Sequence, residues 1–84
     1  MSDLERAWAE LHKANAPLAW RVGRPYLHEE MACNPWEQYA FDATERPKAG
    51  GRTGEWTAIG RDEVAVVREM ARCLRDIAAG KVPH

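Results

Sequence analysis

The segment HEEMAC, residues 28–33, groups the side chains best suited to metal binding or acid–base chemistry in this chain. His28 and Cys33 are of the residue types that bind zinc, and the remaining ligands would come from His12 or Cys73. The spacing is not H-E-x-x-H, and the chain contains no C-x-x-C pair. We therefore predict an ordinary surface segment, with no metal site and no cofactor.

A cysteine nucleophile is the second chemistry to consider, with His12 or His28 as its base. Cys73 falls in a predicted helix beside its apolar stripe, where a buried and inert thiol is the usual finding. Cys33 lies in a less regular segment, but neither cysteine has the glycine-rich surroundings of a catalytic thiol. The adjacent glutamates of HEEMAC point apart, and so short a chain leaves little room for a cleft that raises a carboxylate pKa. We predict no catalytic residue and no enzymatic activity.

The segment ERPKAGGRTG, residues 45–54, carries the main concentration of basic side chains. Its proline, its three glycines and its lack of large apolar residues predict a loop. The loop leads into a strand and lacks the lysine and Ser/Thr order of a P-loop, so we do not expect a phosphate cradle. The main interpretation is a solvated hairpin connection. The alternative is a nucleic-acid contact through Arg46, Lys48 and Arg52.

Tryptophan is abundant, with four in 84 residues. Trp8 and Trp20 fall on apolar faces and are predicted to belong to the core. Trp36 and Trp56 lie near the ends of predicted strands, where the alternation does not settle which way they point. Tryptophan and arginine dominate the energetics of protein interfaces. Core packing is the default interpretation of Trp36 and Trp56, and either becomes a binding anchor if it is exposed. On that second interpretation Trp36, Trp56 and Arg24 are the candidate protein-binding residues.

The composition indicates one small domain, residues 1–84, with 45% hydrophobic and 30% charged residues. The net charge is −1, with 12 basic and 13 acidic residues. A dedicated nucleic-acid-binding protein usually has a clear basic excess, because counterion release supplies much of its affinity. The sequence has no apolar run of about 18 residues and no signal-like start, which predicts a cytoplasmic protein with free thiols and no membrane partner. Arginine and alanine are frequent, as in GC-rich genomes such as those of actinobacteria and their phages.

Two amphipathic helices are predicted from periodicity and capping. Ser2 and Glu5 form the pattern of a capping box at the start of a helix over residues 3–15, and Pro17 follows its end. A second helix begins at Arg61 or Asp62 and runs to about residue 79, where Gly80 follows in the preferred position.

Three strands are predicted between the helices. Alternation of apolar and polar residues places them at residues 18–24, 36–44 and 55–60. Pro25 weakens any continuation of the first strand, and residues 26–34 are compatible with a strand, a helical turn or an irregular connection. The second helix carries a wide apolar stripe that must be buried against these strands.

The order α-β-β-β-α predicts a small α+β fold, with a three-stranded antiparallel sheet and two helices packed on one face. The same order occurs in double-stranded RNA-binding domains, whose second helix begins with clustered lysines. Here that position reads GRDEV, so we do not assign the family.

The apolar width of the second helix exceeds what a small monomer covers, and pairing would bury the excess. We expect a non-enzymatic protein-interaction or regulatory module that binds a protein partner or itself. A nucleic-acid-associated regulator is the alternative.

Overall fold

The computed structural model describes residues 1–28, 39–45 and 54–83. The elements in chain order are α1 (Asp3–Asn15), β1 (Arg21–Val22), β2 (Tyr26–Leu27), β3 (Tyr39–Thr44), β4 (Glu55–Gly60) and α2 (Glu63–Ala78). The protein has an α+β fold, in which both helices lie on one face of an antiparallel sheet. This confirms the predicted fold class, whereas the strand count differs.

Helix α1 begins with the predicted capping box. The Ser2 hydroxyl oxygen accepts a hydrogen bond from the Glu5 backbone N–H at 3.1 Å, and a Glu5 carboxylate oxygen accepts one from the Ser2 N–H at 3.5 Å. These bonds satisfy donors that a helix start leaves free. The inner face of α1 buries Ala7, Leu11 and Ala14. The predicted bounds of 3–15 are confirmed.

The turn after α1 is shaped by Asn15. Its side-chain amide donates to the backbone carbonyl of Trp20 at 2.9 Å, and its side-chain oxygen accepts from the Trp20 N–H at 3.0 Å. Ala19 has a φ of 53°, outside the extended region. The strand predicted over 18–24 therefore begins only at Arg21. The apolar residues of this stretch still pack against the core as their alternation predicts: Leu18, Trp20 and Val22.

Strand β3 is the centre of the sheet. β4 pairs with its full length, from Tyr39 opposite Gly60 to Thr44 opposite Glu55. β1 and β2 both pair with the other edge of β3. Because β4 occupies one edge of β3 completely, β1 and β2 lie one after the other along the opposite edge. The described residues form four strands where three were predicted, since the first one is interrupted and resumes beyond Pro25.

The interruption between β1 and β2 is a bulge. Val22 pairs with Ala43 and Tyr26 pairs with Ala40, so three residues on this edge face two on β3. Such an extra residue bends the strand and breaks its pairing locally. Pro25 lies within the bulge, where its missing N–H removes no bond from the sheet.

Helix α2 has a strong signal at each end. The carboxylate of Asp62 accepts from the Ala65 N–H at 2.8 Å, which caps the first turn. At the other end Gly80 has a φ of 78°, and the N–H of Lys81 donates to the Asp76 carbonyl at 2.8 Å. The N–H of Gly80 donates to the carbonyl of Ile77 at 3.0 Å, which completes a Schellman motif. The sequence predicted both ends.

The core lies between the helices and the inner face of the sheet. Phe41 is fully buried on β3, and Leu11, Met70 and Leu74 are fully buried on the helices. The start of α1 lies beside the start of α2, and the two ends also lie together, so the helices run in the same direction. Both helices of the described residues pack on the inner face, so within that part of the chain no helix lies on the outer face of the sheet.

Candidate interaction surfaces

Among the described residues, the polar and charged side chains that could bind a ligand or partner lie at the surface. Within residues 1–28, 39–45 and 54–83, every fully buried side chain is apolar, and no charged or polar residue is buried. Three surface features combine aromatic, charged or unpaired polar groups. They are a groove beside α1, the outer face of the sheet, and a cleft at the edge of β4.

The α1 groove lies between α1 and the bulge of the sheet, and has a volume of about 620 Å³. Trp8 and His12 form its helical wall, with ring centroids 5.8 Å apart. Arg24 is exposed on the opposite wall, and Glu63 closes one end. Trp8 also contacts Phe41, at 5.4 Å between centroids, so this wall is fixed to the core as predicted. The groove is open and carries charges of both signs.

The outer face of the sheet exposes apolar side chains in a row across three strands. Tyr26, Ala40 and Ile59 occupy adjacent register positions on β2, β3 and β4. Tyr26 is 42% exposed and Ile59 is 38% exposed, whereas Ala40 between them is buried. Exposed apolar residues that cluster on one face distinguish an interaction surface from single apolar residues scattered over the surface.

Asp42 holds the polar groups of the outer face in place. One of its carboxylate oxygens accepts from the Tyr26 hydroxyl at 3.1 Å, and the other accepts from the Thr57 hydroxyl at 2.6 Å. Partial burial raises the pKa of Tyr26, and the hydrogen bond and negative charge of Asp42 raise it further. Tyr26 therefore stays protonated and oriented, so its ring loses little side-chain entropy on binding.

The β4 cleft lies between the free edge of β4 and helix α2, and has a volume of about 200 Å³. Trp56 and Cys73 line it, together with an ion pair between Glu69 and Arg72. The hydrogen bond from Arg72 lowers the pKa of Glu69. Burial raises the pKa of the Cys73 thiol and outweighs the opposing effect of the Trp56 indole. The cysteine is 2% exposed, which agrees with the predicted buried thiol.

The candidate residues from the sequence do not form one site. Arg24 is exposed beside the bulge, whereas Trp56 lies at the β4 edge on the other side of β3. Trp56 is half-buried and packs against the core, so its ring offers less contact surface than a fully exposed anchor. The other candidates lie outside the described residues: Trp36, Arg46, Lys48 and Arg52. Cys33 also lies outside them, so no thiol or zinc interpretation that uses it is tested.

Tyr26 and Ile59 are the surface residues that the sequence analysis missed. A signal for Ile59 was present, because the alternation of EWTAIG places Ile59 on the face opposite Ala58. No comparable signal existed for Tyr26, since its strand is two residues long and follows a proline.

The described ranges contain neither a cluster of metal-binding side chains nor a membrane-spanning helix. Among those residues, no three His, Cys, Asp or Glu side chains lie together in a way that could hold a metal ion. Within the same ranges, no helix combines the length and the apolar character needed to span a bilayer. Comparison with protein-family models, with curated protein sequences and with solved structures found no match to this chain.

Proposed function

We propose that the protein is a small non-enzymatic interaction module that binds a protein partner through the outer face of its sheet. The observation that carries the proposal is the exposed cross-strand row of Tyr26 and Ile59, on the face that lies opposite both helices. A helix-free sheet face is common, but most such faces alternate to polar residues. This one carries an exposed aromatic residue and an exposed β-branched residue, one on each side of the buried Ala40.

The position of Tyr26 supports the proposal energetically. Its hydroxyl is already held by Asp42, and Asp42 is held in turn by Thr57. An aromatic anchor that is oriented before binding gives large contact area at a small entropy cost. Thr57 and Asp42 supply a polar rim, so the partner surface should be apolar at its centre and able to hydrogen-bond at its border.

The experiment is a capture of partners by the tagged protein from a lysate of its own host, with and without nuclease treatment, followed by quantitative mass spectrometry. Three baits are compared: wild type, Tyr26→Ser and Val82→Ser. Val82 is 73% exposed and lies beyond α2, so its variant controls for the loss of exposed apolar surface elsewhere. We expect Tyr26→Ser to reduce the recovery of a stoichiometric partner roughly tenfold or more, as for an interface hot spot, and Val82→Ser to leave it unchanged.

Three results contradict the proposal. Equal recovery by wild type and Tyr26→Ser would place binding elsewhere on the protein, and an empty capture would remove the partner altogether. Loss of the partner on nuclease treatment would favour the nucleic-acid alternative. Binding through Arg46, Lys48 and Arg52 should then weaken steeply as salt rises.

A further inference from the structure

Among the residues that the structure describes, the edge of β4 that faces away from β3 is a row of backbone groups without a partner strand. The N–H of Gly23 donates to the carbonyl of Asp42 at 3.0 Å, so the backbone of Asp42 points towards β1 and β2. Asp42 lies opposite Thr57. In an antiparallel pair, residues opposite each other either exchange bonds or both point away. The N–H and carbonyl of Thr57 therefore point away from β3.

The same alternation applies along the whole of β4. Residues two positions from Thr57 share its direction, so Glu55 and Ile59 also present their N–H and carbonyl groups at the free edge. Ala58 and Trp56 point the other way and bond to β3. Within the described residues, β4 pairs with β3 alone. Donors and acceptors thus recur at the regular spacing that another extended strand would need.

We propose that this edge pairs antiparallel with the β4 edge of a second copy of the chain, about a twofold axis between the two Ala58 residues. In this register Thr57 of one copy exchanges backbone hydrogen bonds with Ile59 of the other, and the symmetric pair does the same, which makes four bonds. The contact is isologous, so it closes as a dimer and does not extend into a fibre. The two sheets join into one continuous sheet.

Complementary charges on this edge favour a second copy of the chain as the pairing strand, and they favour this register. Glu55 comes opposite Arg61 of the second copy, and the twofold axis repeats this pair. Glu55 and Arg61 are both exposed, and neither has an ion pair among the described residues. Centring the axis on Thr57 instead would place Glu55 opposite Ile59 and lose both pairs.

The dimer also covers the β4 cleft, because that cleft opens along the same edge. This inference does not rest on the proposed function. It concerns an edge of the sheet, whereas Tyr26 lies on β2, across β3 from that edge. The purified protein alone suffices to test it.

The experiment is sedimentation equilibrium of the purified protein over a range from micromolar to millimolar concentration. We expect the mass to rise with concentration from 9.5 kDa towards twice that value. Thr57→Pro removes an edge donor and keeps the backbone bonds between β4 and β3, although it also removes the hydroxyl bond from Thr57 to Asp42. It should keep the protein monomeric. A wild type that stays at 9.5 kDa, or a dimer that Thr57→Pro leaves intact, would overturn the proposal.

A charge exchange tests the register and does not depend on how the proline variant folds. Glu55→Arg and Arg61→Glu each place two like-charged pairs across the axis and should each weaken the dimer about tenfold. The double variant restores two opposite pairs and should recover the wild-type affinity. Arg68→Glu, an exposed arginine on α2, matches the charge change of Arg61→Glu and should have no effect. A double variant no tighter than the singles would refute this register.

Discussion

The two edges of the sheet differ in almost every feature that controls strand pairing. The edge formed by β1 and β2 consists of two strands of two residues each, separated by a bulge that contains Pro25 and the charged Arg24. The β4 edge is one regular strand of six residues, without proline or bulge. Short strands, bulges, prolines and charges are the devices by which proteins block unwanted pairing.

This difference indicates which edge is available to another strand. β1 and β2 share the one edge of β3 discontinuously, so a strand added outside them would find few aligned groups. β4 presents the outward N–H and carbonyl groups of three residues, and in the described part of the chain its protective feature is the charge of Glu55. In the proposed dimer the Glu55 carboxylate lies opposite Arg61 of the second copy. The charge that discourages pairing with other strands therefore favours pairing with a second copy.

Proline substitutions at neighbouring positions of β4 test the directions of its backbone groups and should give the largest effect. Ala58→Pro removes a bond to β3 and strains a buried position, so we expect a loss of about 3 kcal/mol or more in the free energy of unfolding. Thr57→Pro removes an outward N–H and the exposed hydroxyl bond to Asp42, which is worth about 0.5–1.5 kcal/mol, so it should cost the monomer less. Urea denaturation at low protein concentration measures both. Equal losses would contradict the assigned directions.

Alanine substitutions at one glycine on each edge compare how tightly the edges are packed. A Cβ on Gly60 would lie 2.7 Å from the backbone nitrogen of Val66, so Gly60→Ala should cost about 1–3 kcal/mol in the free energy of unfolding. A Cβ on Gly23 would lie 3.6 Å from the carbonyl of Asp42, an ordinary contact. Gly23→Ala should therefore change stability by less than about 0.5 kcal/mol. Thermal or urea unfolding gives both values, and a larger loss at Gly23 would reverse this ranking.

Thiol labelling reports on the β4 cleft. In a Cys33→Ser background, Cys73 should react with an alkylating reagent at least about tenfold more slowly in native buffer than in denaturant, because it is buried and its pKa is raised. The rate at neutral pH, followed by mass spectrometry, checks this. A native rate equal to the denatured rate would show that the cleft is open to the reagent. If the β4 edge pairs, the native rate should fall further as the protein concentration rises.

The parts of the fold that could be predicted are those with local chemical signals. The caps of α1 and α2 and the apolar stripe of α2 specify helices without reference to the rest of the chain, and the alternation of EWTAIG specifies β4. The start of β1 could not be predicted in this way. It depends on the side chain of Asn15, which bonds the backbone N–H and carbonyl of Trp20 as a neighbouring strand otherwise would. Hydrophobic periodicity does not reveal such a side-chain bond.

The candidate surfaces were harder to predict because they depend on which strands become neighbours. Tryptophan content pointed to Trp56, yet its position on the inner face follows from the pairing of β4 with β3. Arg24 and Trp56 cannot form one site because they lie on opposite sides of β3, and the sequence does not show this separation. Tyr26 becomes an interaction candidate only when the fold places Asp42, which is 16 positions further along the chain, beside it, and Thr57, another 15 positions on, beside Asp42.

Among the substitutions that remove a contact, the smallest effect is expected at the outer face, where Tyr26 lies next to β3 on the bulged edge. Tyr26→Phe removes the hydrogen bond to Asp42 and should cost about 0.5–1 kcal/mol in the free energy of unfolding near neutral pH, because an exposed hydrogen bond contributes less than a buried one.

Because the pKa of Tyr26 is raised in the folded protein, the hydroxyl stays protonated there after it ionises in the unfolded chain. Its stabilising contribution is therefore complete below the usual tyrosine pKa of about 10 and is lost as the pH rises through the folded value. Urea denaturation of wild type and Tyr26→Phe from pH 7 to 11 measures this difference. Ionisation of Cys73 affects both proteins equally and cancels, so the two stabilities should converge as the pH rises. A gap that stays constant or widens would show that the bond to Asp42 does not hold the tyrosine in its protonated form.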